Sequence, residues 1–135
     1  MGKFVATLTT LKINSVDLSN HVESAVITEV FDEVEVTAFG GNYHDFLAGL
    51  TKNTLTVTFQ QDYGISSVNQ TLFPLVGTTT TFSGNPTGAA NSTVNPSFSG
   101  TILVSNYTPI DASVGALGKI SATWPITSAI TQATT

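Results

Sequence analysis

Histidine next to an acid is the combination in this chain that could support acid–base or nucleophilic chemistry. His44 is followed directly by Asp45, and the second histidine is His21. Neither histidine falls in an H-x-x-x-H or H-E-x-x-H metal pattern, and no G-x-S-x-G motif supplies a nucleophilic serine. If His44 and Asp45 lay on a strand, their side chains would also point to opposite faces and could not act together. We therefore interpret both histidines as loop residues that hydrogen-bond locally, and the sequence does not predict an enzyme.

Carboxylates are the other group with chemical potential, because they are hard ligands for calcium. Asp32, Glu33 and Glu35 lie close together, but no D-x-D-x-D-G loop surrounds them. The Gly-Gly-Asn run at 40–42 is typical of a tight turn, since no helix with a lysine follows it to hold a phosphate. The chain has no cysteine, which excludes disulfides and thiolate metal sites. No metal or cofactor site is predicted.

The charge distribution argues against nucleic-acid binding. The net charge is −5, arginine is absent, and five of the nine acids lie between Glu23 and Glu35. A protein that holds DNA needs lysine and arginine to neutralise phosphates. A wall past which DNA must slide without sticking would be acidic or neutral, as this chain is. The alternative is that these carboxylates form the solvent-facing side of two strands.

Composition predicts an all-β protein whose surface is unusually poor in charge. There are 23 threonines and 13 serines, and β-branched threonine suits a pleated, half-buried surface. Charged residues make up 10% of the chain, against roughly 25% in an average soluble domain. A monomer with this surface is expected to be poorly soluble, so copies of the chain are expected to cover one another. The alternative is an extracellular β-protein that hydroxyl groups keep in solution.

The length of the chain and the positions of its apolar residues predict its domain organisation and cellular location. The 135 residues predict one domain, 1–135, with a modest core. Neither a signal-peptide-like apolar run nor an apolar segment of membrane-spanning length is present. We therefore expect synthesis and use in a cytoplasm, without a membrane.

Periodicity places strands along most of the chain. Segments 24–31 and 33–38 are predicted as one long strand with a bulge at Asp32, because the buried parity changes there. A short helix at 68–76, with a capping box of Ser67 and Gln70, is expected to cover a β core. Segments 40–50 and 83–95 are predicted loops, and segment 127–135 is expected to fray or dock on a neighbour. Further strands are predicted at 4–13, 53–61, 78–82, 98–106 and 118–126, and a turn at Asn14 and Ser15 follows the first of them.

Residues 32–62 are the most informative stretch. Alternating strands flank a connection that is too long for a tight hairpin and too apolar for a solvated loop. Its large apolar side chains must be covered by something, and they are Phe39, Tyr43, Phe46, Leu47 and Leu50.

The order of these pieces resembles the tail-tube (major tail) proteins of long-tailed bacteriophages. In that family a D/E-x-x-E-V/I-T strand leads to a long glycine-containing loop, then to a GL-K/T-x-x-T-L-T-V/L-T-F strand and an acid. DEVEVTAFGG at 32–41 and GLTKNTLTVTFQQD at 49–62 carry the resemblance. It covers 17–80 best and extends weakly to the strand around Trp124. It implies a β-barrel or sandwich with one short helix packed on it, assembling into stacked, hexameric rings.

Site residues and partners follow from this resemblance. The five apolar loop residues are expected to dock on the adjacent ring. Glu29, Glu33 and Glu35 are candidates for a DNA-conducting lumen, with Glu33 and Glu35 sharing one parity. The expected partners are the chain itself and the tape-measure and tail-end virion proteins, while DNA passes without being bound. The expected location is the virion tail, assembled in the host cytoplasm.

Other functions remain open. The chain could be a capsid decoration protein or another virion β-sandwich that binds a viral surface. A carbohydrate-binding module would show exposed aromatic platforms, for which Trp124, Tyr63 and Tyr107 are the candidates. Trp124 alternates with Ile120 and Ala122 on one strand face, so we expect it in the core.

Overall fold

Strands make up most of the regular structure, and the all-β class with one short helix is confirmed. The computed structural model describes residues 3, 5 and 9–135, so part of the predicted strand 4–13 lies outside the described residues. One α-helix, α1 (Val68–Leu72), and 3-10 helices at Ser19–His21 and Phe73–Leu75 are found in the described part. Its strands are β1 (Thr10–Ile13), β2 (Val16–Asp17), β3 (Val22–Thr28), β4 (Phe31–Glu35), β5 (Phe46–Thr51), β6 (Asn53–Gln60), β7 (Thr79–Asn85), β8 (Ser97–Leu103), β9 (Lys119–Ile126) and β10 (Thr131–Ala133).

Eight of these strands form one antiparallel sheet, which we call the body together with the helices packed on it. Its spatial order is β2-β1-β7-β8-β9-β6-β3, and β10 also pairs with β8. Strand β8 exchanges partners along its length, because residues 97–99 pair with β10 and Ile102 pairs with Ile126 of β9. Side chains from both halves of the sheet enter one core. The arrangement is sandwich-like, and the sheet does not close into a barrel.

Strict alternation on β6 and β9 builds the centre of that core. Leu55, Val57 and Phe59 of β6 are fully buried, and their partners on β9 are Trp124, Ala122 and Ile120. The indole Nε1 of Trp124 donates a 2.8 Å hydrogen bond to the Asn106 carbonyl, so burial leaves its polar group satisfied. The predicted core position of Trp124 is confirmed.

The predicted helix exists but is shorter than expected. Val68 and Leu72 are fully buried against the core, which confirms the role of α1 as a lid. Helical geometry tightens to 3-10 at Phe73, next to Pro74, because proline removes a backbone donor.

The predicted capping box is wrong. Ser67 makes no side-chain capping bond to the helix, because its hydroxyl is engaged by His21. The Gln70 side chain instead accepts a bond from the backbone N–H of Ser66 at 3.1 Å.

Two predicted irregular segments of the body are partly strands. Strand β7 continues to Asn85, into the predicted loop 83–95. The C-terminal segment neither frays throughout nor needs a neighbour, because β10 pairs with Ser97–Ser99 of its own chain. The predicted turn at Asn14 and Ser15 is confirmed, with both residues at positive φ between β1 and β2.

Candidate assembly surfaces

Strands β4 and β5 form a separate two-stranded sheet that we call the ribbon, residues 29–52. The prediction of a loop over 40–50 is wrong in its second half, because Phe46, Leu47 and Leu50 lie in β5. Phe39 and Tyr43 lie in the connection between the two strands. The run Phe-Leu-Ala-Gly-Leu does not alternate between apolar and polar residues, and so it gave no strand signal.

The ribbon exposes more apolar surface than a monomer normally tolerates. Every strand residue of β4 is exposed, and so are all of β5 except half-buried Gly49. Isolated two-stranded hairpins are at best marginally stable in water, and large exposed apolar patches mark interaction sites. Its exposed large apolar side chains are Val30, Phe31, Val34, Val36, Phe39, Tyr43, Phe46, Leu47 and Leu50.

A bulge sets the pairing of the ribbon. Phe31 pairs with Thr51 but Glu33 pairs with Ala48, so the extra residue lies on β5. The prediction of one long strand over 24–38 is wrong, because the segment divides into β3 of the body and β4 of the ribbon. The irregularity does fall at the level of Asp32, but on the partner strand. A Cβ at Gly49 would lie 3.0 Å from the Val34 Cγ2 atom and 3.3 Å from the Asp32 carbonyl oxygen, so any other residue there would push these neighbours aside by a few tenths of an ångström.

The five predicted docking residues do not share one face of the ribbon. Glu35 pairs with Phe46, whereas Val34 pairs with Leu47. Paired residues share a face and successive residues alternate. The ribbon therefore has an acid face, with Phe31, Glu33, Glu35, His44 and Phe46, and an aliphatic face, with Val34, Val36 and Leu47 beside Asp32.

Hydrogen bonds organise the ribbon where its strands join the loop. The His44 Nδ1 atom lies 2.7 Å from the Glu35 Oε1 atom, and the Thr37 hydroxyl bonds the same oxygen at 3.1 Å. Thr37 also accepts the Asp45 N–H at 2.9 Å. This confirms the local hydrogen bonding expected for His44.

The three predicted lumen acids separate into two places. Glu33 and Glu35 lie together on the acid face, as their parity predicts. Glu29 lies between β3 and β4, beside a cavity whose other lining residues are Ile27, Phe98 and Ile130. All three are exposed, but Glu29 does not extend the surface of the other two.

A third surface is covered with hydroxyl groups. On β6 and β9 the outward positions alternate with the buried core positions, and β3 continues the same outer face. Across it, the hydroxyls of Thr56 and Thr123 lie 3.2 Å apart, and so do those of Thr58 and Ser121. Its charges are confined to one end, where Glu23 accepts bonds from Gln60 and Lys119. Those bonds lower the pKa of Glu23, and the bond from Gln60 has the largest effect.

One cluster escaped prediction because its members are far apart in sequence. The His21 Nε2 atom lies 3.1 Å from the Ser67 hydroxyl and 3.6 Å from the Asp62 carboxylate. The local hydrogen bonding expected for His21 is therefore wrong. A catalytic triad needs the serine and the acid on different ring nitrogens, whereas both contact Nε2 here. The cluster holds the 3-10 helix at Ser19–His21 against the start of α1. Hydrogen bonds from the Gly64 N–H, which has the larger effect, and from the Ser67 hydroxyl lower the pKa of Asp62.

Metal and membrane signals are weak in the described part of the chain. Residues 3, 5 and 9–135 contain no group of three or more histidines and acids placed to hold a metal ion. Within the same residues, no helix is long and apolar enough to cross a membrane.

The sequence matches no protein-family model and none of the curated proteins with which it was compared.

Proposed function

We propose that this chain is a self-assembling structural protein of a phage tail tube. The observation that carries the proposal is the ribbon, whose apolar side chains its own body leaves uncovered. Burying a fully exposed side chain of this kind is worth roughly 1.5–3 kcal/mol, and a half-exposed one about half as much, so the exposed ribbon favours association. A chain with 10% charged residues has little surface charge to oppose that association.

Two contacts would build the tube. Within a ring, the outer edge of β3 is suited to pair with a neighbouring chain, because the described residues place no strand against it. Its residues include one charge, Glu23, and no proline or lysine that would protect a natural edge. Between rings, the ribbon supplies the apolar contact. The tape-measure and tail-end virion proteins would then meet the assembled rings.

The two faces of the ribbon suggest a division of roles. The aliphatic face, with Val34, Val36 and Leu47, suits burial against another subunit. The acid face, with Glu33 and Glu35, suits water and would repel DNA phosphates in a channel. Phe46 lies on the acid face, so its contribution to docking should be smaller than that of Leu47.

Substitution of these neighbours tests the proposal. Wild type at tens of micromolar should form rings or tubes by electron microscopy and sediment well above 14.1 kDa. Leu47→Asp should abolish the tubes, because an unpaired carboxylate resists burial. Phe46→Asp, one residue away, should weaken them less. Both variants should keep wild-type strand content by circular dichroism.

Two outcomes would contradict this proposal. A wild-type chain that stays monomeric at that concentration removes the tube function, and capsid binding by that monomer would favour the decoration alternative. Equal assembly by the Leu47→Asp variant and wild type would show that the aliphatic face is not a contact.

The channel role of the acid face has its own test. Glu33→Lys combined with Glu35→Lys should permit tube assembly yet slow DNA ejection in an infection assay, because lysines would hold passing phosphates. Glu29→Lys, which lies off the acid face, is the charge-matched control for the single change Glu33→Lys. Normal ejection by the Glu33 and Glu35 variant would refute the assignment.

A further inference from the structure

A second exposed apolar surface lies on the body, at residues 61–65 and 108–118. The Tyr63 hydroxyl donates a 2.6 Å bond to the Pro109 carbonyl, and the Gln61 side chain donates to the same oxygen at 2.8 Å. The Gln61 N–H also bonds the Gly118 carbonyl at 2.9 Å. These bonds hold the two segments side by side. We call their exposed apolar side chains the end patch: Tyr63, Ile65, Ile110, Val114 and Leu117.

The ribbon and the end patch lie at opposite ends of the same strand. Strand β6 begins at Asn53, directly after the ribbon, and its other end is Gln60, which pairs with Lys119 next to the end patch. The first and last of the eight residues of β6, with a rise of about 3.3 Å between neighbours, are separated by roughly 23 Å. One copy therefore cannot cover its ribbon with its own end patch through the intervening body.

The two surfaces are alike in chemistry and comparable in extent. Taking about 150–250 Å² for a fully exposed large side chain, the fractional exposures give on the order of 1,000 Å² for the ribbon, divided between its two faces and its loop, and about 700 Å² for the end patch. A standard protein interface takes about 800 Å² from each partner. A single class of occupant, a second copy of this chain, satisfies both surfaces at once.

We propose that the ribbon of one copy seats on the end patch of the next. This inference rests on the proposed assembly and names the surface that receives the ribbon. The contact is heterologous, so each seated copy leaves one ribbon and one end patch free, and growth continues without closing on itself. Because the proposed contact is between apolar side chains, added salt should leave stacking intact, whereas ion pairs between copies would be weakened by screening.

A mixing experiment tests the pairing. A ribbon variant, Phe39→Asp with Leu47→Asp, and an end-patch variant, Val114→Asp with Leu117→Asp, should each lose stacking affinity by about a hundredfold or more. Mixed in equal amounts, they should form a single ribbon-to-end-patch contact and grow no further. The ribbon variant keeps an intact end patch, and the end-patch variant keeps an intact ribbon. Val94→Asp, an exposed valine of the 83–95 segment, is the matched control and should stack like wild type.

The outcomes separate this inference from the assembly proposal. Wild-type stacking by the end-patch variant, or no complex in the mixture of folded variants, overturns the inference while ribbon-driven assembly stands. A monomeric wild type overturns the assembly proposal itself. If the aspartate variants misfold, differently tagged Phe39→Cys and Val114→Cys chains decide, since the chain has no native cysteine. Predominant heterodimers on oxidation support the contact, and random or absent cross-links refute it.

Discussion

Strand β6 and the ribbon strand β4 have similar sequences and opposite surroundings. Both alternate aliphatic and polar residues: Leu55 and Val57 with threonines in β6, Val34 and Val36 with glutamates at the ribbon. In β6 the aliphatic side chains are fully buried, whereas in the ribbon they remain exposed. Alternation thus predicts that one face of a strand is covered, and it does not identify the covering molecule. In β6 the cover is the chain itself, and for the ribbon we propose another copy.

The largest expected difference comes from removing the same side chain on the two sides of this comparison. Phe59→Ala in β6 should lower the free energy of unfolding by about 3–5 kcal/mol, because it empties a fully buried position beside Trp124. Phe46→Ala in β5 should change it by less than about 0.5 kcal/mol in the unassembled chain. Urea denaturation followed by Trp124 fluorescence measures both. Equal losses would mean that the ribbon packs on its own body in solution.

A substitution at the bulge sharpens the comparison within the ribbon. Gly49→Ala places a Cβ 3.0 Å from Val34 and 3.2 Å from Asp32, so strain of about 1–3 kcal/mol should shift the pairing of β5. Sedimentation should show weaker assembly while the thermal midpoint of the body stays near wild type. Gly41→Ala is the control, because its Cβ would meet only backbone oxygens at ordinary distances. Unchanged assembly in the Gly49 variant would show that the register of the ribbon is irrelevant.

The smallest expected effect is a pH dependence that belongs to the body. Hydrogen bonds from the Ser19 hydroxyl, which has the larger effect, and from the Ser19 N–H lower the pKa of Asp17 in the folded chain. Because its folded-state pKa is lowered, this carboxylate stabilises the fold at pH values above its unfolded pKa of about 3.9, and the stabilisation is lost as the pH falls through the folded-state pKa. The melting temperature should therefore decrease as the pH is lowered below about 4, and this decrease should be smaller in Asp17→Asn. An identical slope in the two chains would refute a role for this carboxyl.

Local signals in the sequence predicted much of the body. Alternation located β6 and β9, and Asn14 and Ser15 marked a hairpin turn whose positive φ values asparagine tolerates. Strand β5 was missed because both of its faces are apolar and Gly49 interrupts it. The face on which each docking residue lies depends on pairing register, which the bulge opposite Asp32 shifts. The contact of His21 with Ser67 depends on tertiary packing that no local pattern encodes.

Placing the ribbon and the end patch at opposite ends of β6 gives any stack built from them a polarity. One terminus of such a stack presents only ribbons and the other only end patches. A capping protein that recognises one of these surfaces would therefore bind a single terminus and leave the other free to elongate. Because every layer offers the same free surfaces as the last, the number of layers is not encoded in the contact and must be set by a separate ruler.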